Sequence, residues 1–126
     1  MSHTANAVAS IAGKLSYEAY ADDGTSAAAD FDFGEILSKL LSSIINTCLG
    51  GLTATETAHT LVSPSPQRHR QFRAAARRES VKHIGRGKGL RAERRKFADD
   101  LVESMSDEAA ERGFSGTLKV VREVRQ

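Results

Sequence analysis

The stretch Asp32-Phe33-Gly34-Glu35-Ile36-Leu37-Ser38-Lys39-Leu40-Leu41-Ser42-Ser43-Ile44-Ile45-Asn46-Thr47-Cys48-Leu49-Gly50-Gly51 decides the fold. Asp32 and Glu35 stand at the spacing of a capping box, in which the first side chain accepts from exposed amides and the second reaches back. Behind them the doublets Ile36-Leu37, Leu40-Leu41, Ile44-Ile45 and Cys48-Leu49 recur every four residues, a helical period and not a strand's alternation. At 3.6 residues per turn, each step carries the doublet about 40° further around the axis. Such a stripe has to meet more than one neighbour along its length, or cross one steeply. Gly50-Gly51 is expected to close the helix through a left-handed cap.

Working outward toward the C-terminus, Thr53-Ala54-Thr55-Glu56 repeats the capping-box spacing and starts a short helix with Ala58, Leu61 and Val62 inward. Ser63-Pro64-Ser65-Pro66 breaks the chain, with Pro64 to Pro66 as a boundary, and Ser65 can cap a third helix with Pro66 at its first position. That helix is expected over 66–83, on a thin apolar face of Phe72, Ala75 and Ala76, with Val81 and Ile84 elsewhere on the wheel. Gly85-Arg86-Gly87-Lys88-Gly89 reads as a loop. A fourth helix runs from Leu90 to Met105 or beyond, where Phe97, Ala98, Leu101, Val102 and Met105 repeat the four-step doublet and make a natural partner for the first. Ser106 is placed to cap a further turn ending near Gly113. The tail 116–126 fits two conformations: Leu118, Val120 and Val124 alternate as in a strand, while Leu118, Val121 and Val124 share a helix face. A lone strand lacks a partner, which favours the helix.

Toward the N-terminus, residues 1–31 are rich in Ala, Ser, Asp and Gly. A short helix is expected over 8–20 and a turn at Asp22-Asp23-Gly24-Thr25-Ser26, the whole reading as a mobile arm that orders on a partner. The 126 residues thus suggest one all-α domain, a bundle of four to five short helices centred on 36–49 and 97–105. With aromatics at only 6% and no Trp, the core has to come from Leu, Ile, Val and Ala, which suits helices packed on helices.

A single cysteine, Cys48, excludes an intrachain disulfide and fits a reducing compartment. Residues 1–13 lack a basic region followed by an apolar run, so no secretory signal is recognised. The most apolar stretch, 36–52, is interrupted by Lys39, Ser42, Ser43, Asn46 and Thr47, short of the roughly 20 apolar residues of a membrane span. The expected location is the cytoplasm or a particle assembled inside the cell.

The net charge of +2 conceals a segregated pattern. Residues 1–63 carry 2 basic against 7 acidic side chains, residues 64–98 carry 12 against 2, and residues 99–126 carry 4 against 7. The twelve central cations are Arg68, Arg70, Arg73, Arg77, Arg78, Lys82, Arg86, Lys88, Arg91, Arg94, Arg95 and Lys96. Most are Arg, whose planar fork of donors matches phosphate and keeps its charge at any physiological pH. Arg70, Arg73 and Arg77 fall in one helical stripe. Arg68, Arg70 and Arg73 occupy the first turns of the third helix, and Arg91, Arg94, Arg95 and Lys96 those of the fourth. Cations at a positive helix end oppose the macrodipole by about 0.3–1 kcal/mol each when exposed. Clustered there with free amides and a Gly-rich loop, they suit an anion.

Other chemistry is poorly supported. Cys48 continues the apolar doublets and reads as a buried small hydrophobe. His69 and His83 are too far apart along one helix to share a metal, and His3 and His59 have no ligand partners nearby. Asp32 and Glu35 are explained as a cap, leaving Asp30 alone, and Asp22-Asp23-Gly24 lacks the alternating ligands of a calcium loop. The loop 85–89 has the wrong glycine spacing for a dinucleotide fingerprint and lacks the Gly-Lys-Ser/Thr of a phosphate-binding loop. No cofactor, metal site or enzyme activity is expected. The first expectation is a non-enzymatic binding module that holds nucleic acid through phosphates, with little sequence preference, since no zinc-finger, RNA-recognition or KH signature occurs. The alternative is a small structural subunit of a larger assembly, such as a virus particle or multi-chain complex, whose basic segment meets acidic surfaces of neighbours in a homo- or hetero-oligomer. A weaker third reading, an amphipathic membrane binder using 33–49, is disfavoured by Lys39 being the only base on that helix.

Overall fold

The computed structural model describes Ala19–Tyr20, Ser26–Ala27 and residues 32–126. Strands β1 (Ala19–Tyr20) and β2 (Ser26–Ala27) pair antiparallel, Tyr20 opposite Ser26. The helix expected over 8–20 is therefore extended at its last two positions. Its remainder, the turn before Ser26 and the arm as a whole lie outside the described residues. The other regular elements among the described residues are helical: α1 (Phe33–Ser43), prolonged by a π-helical turn (Ile44–Cys48); α2 (Ala54–Val62); α3 (Pro66–Ile84); a 3-10 turn (Lys88–Leu90); and α4 (Arg91–Val124). The protein is all-α, and the C-terminal tail is helix.

The α1 stripe meets both α3 and α4, as its drift requires. The π turn is the physical answer to that drift. A π-helix takes more residues per revolution than an α-helix, so Ile44-Ile45 and Cys48-Leu49 are rotated back toward the core. Ile44, Ile45 and Leu49 are fully buried. Cys48 is only half-buried at the edge of the core, a correction to its placement inside it. The helix does not end on a left-handed glycine either. Leu49 (φ −118°) closes it by donating to the Ile44 carbonyl, and neither Gly50 nor Gly51 has positive φ. At the other end only half of the expected box forms. Asp32 accepts from the Glu35 amide (3.1 Å), but the Glu35 carboxylate pairs forward with Lys39 (3.5 Å).

Helix α2 carries the complete box: Thr53 Oγ1 accepts from the Glu56 amide (3.1 Å) and Glu56 Oε1 from the Thr53 amide (3.0 Å). It buries Thr57, Ala58 and Leu61, with Val62 half-buried beside them. Ser65 caps α3 through the Arg68 amide (3.1 Å), with Pro66 in the first turn. Despite its thin apolar face, α3 seats firmly, because Phe72 and Ala76 are fully buried and the small Ala75 and Ser80 let its backbone approach α4. Phe97 from α4 meets Phe33 edge-on at 5.9 Å between centroids.

Ser106 lies within α4 and starts no new turn; at Gly113, where the sequence places an end, α4 is two helical segments meeting across a kink. It bends at Gly113 (φ 72°, ψ −177°), a conformation essentially reserved for glycine. Thr117 Oγ1 donates to the Ala109 carbonyl across the bend (3.2 Å). Beneath the bend lies buried Glu108, ion-paired with Arg112 and with Oε2 unpartnered, beside a cavity of about 10 Å³. After the bend Val120 and Val121 return to the core. No described helix is long and apolar enough to cross a membrane.

Candidate phosphate-binding surface

Since α3 ends where α4 begins and the two pack along their lengths, the chain reverses at the 85–90 connection and gathers most of the basic segment there. The twelve cations do not act as one patch. They divide by the partner each has found.

Two arginines that look misplaced in their own helices complete the ends of others. Arg68 opens α3, yet its Nη1 donates to the Cys48 carbonyl at the end of the π turn (3.1 Å) and to Gln71 Oε1 (3.1 Å). Arg94 lies in the first turn of α4, yet its Nη1 donates to the carbonyls of Gly85 and Gly87, each at 2.8 Å. Both place positive charge at the negative, carbonyl-bearing end of a neighbouring helix. The charge inversion read from sequence is therefore real along the chain and cancelled in space at these two residues. The Gly-rich loop likewise serves Arg94 by presenting carbonyls to it.

Arg73 sits across from Asp99 on α4 (Nε to Oδ1 3.7 Å), both side chains about half exposed at 41% and 50%. This pairing interrupts the stripe of Arg70, Arg73 and Arg77. The groove beside it, lined by His69, Arg73, Asp99 and Glu103, has mixed charge. Lys82 pairs with Glu79 (3.4 Å), which also bonds His83 (3.1 Å).

One turn further along α3 the character changes. A cleft of about 300 Å³ between α3 and α4 is lined by Arg77, Ser80, Val81, Arg91, Arg94 and Arg95. Around the end of α3 a second cleft, about 430 Å³, is lined by Arg78, Val81, Lys82, Arg86 and Arg94. Neither lining contains a carboxylate. Ser80, the hydroxyl among them, donates to the Arg77 carbonyl of its own helix (2.6 Å). No side chain caps α4 at Leu90, whereas α3 is capped by Ser65; the 3-10 turn that leads into α4 takes up the Leu90 and Arg91 amides through the Gly87 and Lys88 carbonyls. Glu93, in the first turn of α4, has a carboxylate whose Oε2 is buried without a hydrogen-bond partner. Arg70, Lys88 and Lys96 are exposed and line neither cleft.

Sequence reasoning missed Arg125. Its guanidinium donates to the Leu52 and Leu49 carbonyls and to Thr57 Oγ1, each at 2.9 Å, and joins Arg68 in closing the end of α1. Nothing in the sequence separates it from Lys119 and Arg122, the other bases of the tail. Among the described residues no group of three His, Cys, Asp or Glu could hold a metal. Compared with known protein families, curated proteins and solved structures, the chain gives no match.

Proposed function

We propose that the protein is a non-enzymatic binding module that holds nucleic acid through its phosphates at the turn between α3 and α4. The observation that carries this reading is the pair of clefts lined by seven cations (Arg77, Arg78, Lys82, Arg86, Arg91, Arg94 and Arg95) and no acid. Arginine forks at a concave surface suit phosphate oxygens. Neither cleft has an aromatic lining on which a base could stack, so the contacts fall on the backbone and discriminate little between sequences.

Binding of labelled single-stranded RNA and duplex DNA, measured by anisotropy across a salt series, tests this. The expected result is affinity that falls steeply with salt, with a slope that counts several neutralised phosphates. The variants Arg77→Ala and Arg95→Ala should each reduce that slope by about one phosphate equivalent, while Arg68→Ala leaves it unchanged. Absence of binding at low salt would overturn the reading and assign the surface to an acidic neighbour in an assembly.

A further inference from the structure

Resting on that reading, we infer that Arg94 is a fixed, two-sided anchor that seats two successive phosphates of one nucleic-acid strand, one in each cleft. A guanidinium carries five donors in a rigid plane. Arg94 commits those on Nη1 to the Gly85 and Gly87 carbonyls, which prevents the group from swinging. Its Nη2 and Nε donors remain, and Arg94 borders both clefts. Every other cation lining the clefts belongs to one of them: Arg77, Arg91 and Arg95 to the first, Arg78, Lys82 and Arg86 to the second.

That arrangement matches linked phosphates better than a lone anion. One phosphate can satisfy one cleft only. Two joined through a sugar can occupy both, and the second enters at high effective concentration once the first is bound. Because Arg94 is already ordered, little side-chain entropy is lost when it binds. The Val81 side chain lies between the clefts and borders both, giving the linking sugar an apolar surface.

The test is competition against a labelled long oligothymidylate, using unlabelled thymidine monophosphate, a dithymidylate with two phosphates, inorganic tripolyphosphate and inorganic phosphate. The dithymidylate is expected to compete at least about tenfold better than the monophosphate, the gain of one further charge-assisted site. Arg94→Lys keeps the charge, but once it holds the two loop carbonyls it has at most one donor left to share between the clefts, and it should abolish that gain. Arg77→Ala and Arg78→Ala, both exposed on α3, test the same point without touching the loop. Each should bring the dithymidylate close to the monophosphate, and the double variant should lose little more. Equal competition by one and two phosphates, with the long strand still bound and salt-sensitive, would overturn the two-cleft inference and leave the binding module standing. Tripolyphosphate competing where the dithymidylate does not would overturn the assignment to a nucleic-acid strand. Failure of the long strand itself to bind would overturn both.

Discussion

Arg125 Nη2 donates to the Leu49 carbonyl at 2.9 Å, joining the end of the last helix to the end of the first. The same guanidinium holds the Leu52 carbonyl and Thr57 Oγ1, so one side chain ties α4, the turn after α1, and α2. Removing it takes the guanidinium donor from the Leu52 carbonyl and leaves the Leu49 carbonyl with the Leu52 amide alone. Arg125→Met should lower stability by about 2–3 kcal/mol, read as a reduced urea midpoint at an unchanged m-value. Arg125→Lys should recover only part of this, because an ammonium lacks the planar fork that spans three acceptors. An unaltered midpoint would mean these bonds are exchanged for water without loss.

Gly113 makes the bend in α4. A Cβ there would touch nothing within 4 Å, so any penalty for Gly113→Ala comes from the backbone, whose φ of 72° an L-residue resists. The expected loss is about 1–3 kcal/mol by thermal denaturation. Gly51→Ala, equally open and without positive φ, should be close to neutral. If the two variants melt alike, the bend is not what demands glycine.

The order and kind of the helices were legible because each boundary carries its own chemistry: the Thr53 and Glu56 box, Ser65 before Pro66, and the doublets that put Leu37, Ile44 and Leu101 in the core. The π turn was not legible, since nothing local distinguishes Ile44-Ile45 from the doublets before it; the core's demand on a drifting stripe imposes it. Gly113 was visible as an interruption, but whether a helix stops or bends depends on what Val120 and Val121 meet beyond it. In the site, the wealth of arginine was plain and its division was not. Arg68 and Arg94 bond to carbonyls 20 and 9 or fewer positions away, partners no helical wheel displays.

The Glu56 carboxyl titrates below its ordinary value of 4.5, chiefly because it accepts from the Thr53 amide and then from the Thr53 hydroxyl. A carboxylate with a depressed folded-state pKa contributes stability that is fully present above its unfolded value and lost as pH falls through the folded one. The α2 box should therefore weaken only under acid conditions below 4.5. Side-chain carbon NMR titration should show Glu56 moving below 4.5, and Thr53→Ala, which removes the hydroxyl, should raise it part of the way back. A Glu56 curve unchanged by Thr53→Ala would remove the hydroxyl as a cause and leave the backbone amide alone responsible.

Asp99 is one of two acids, with Glu103, in the mixed-charge groove beside Arg73, from which it stands 3.7 Å. An ion pair this exposed contributes about 0.2–1 kcal/mol, so Asp99→Asn should shift the urea midpoint only slightly. Its effect on binding should be larger in proportion. Losing Asp99 releases Arg73 to act with Arg77 one turn along the same face of α3, and extends the cationic surface from the clefts toward His69. If phosphates bind along that groove, Asp99→Asn tightens binding of single-stranded RNA and steepens the salt slope by roughly one phosphate equivalent. The double variant Arg73→Ala with Asp99→Asn should lose the added slope, because the groove, which still holds Glu103, then has no arginine to recruit. If Asp99→Asn leaves affinity and slope unchanged while the clefts still bind, the strand does not run toward His69, and its path leaves the hairpin over Arg86 and Lys88 instead.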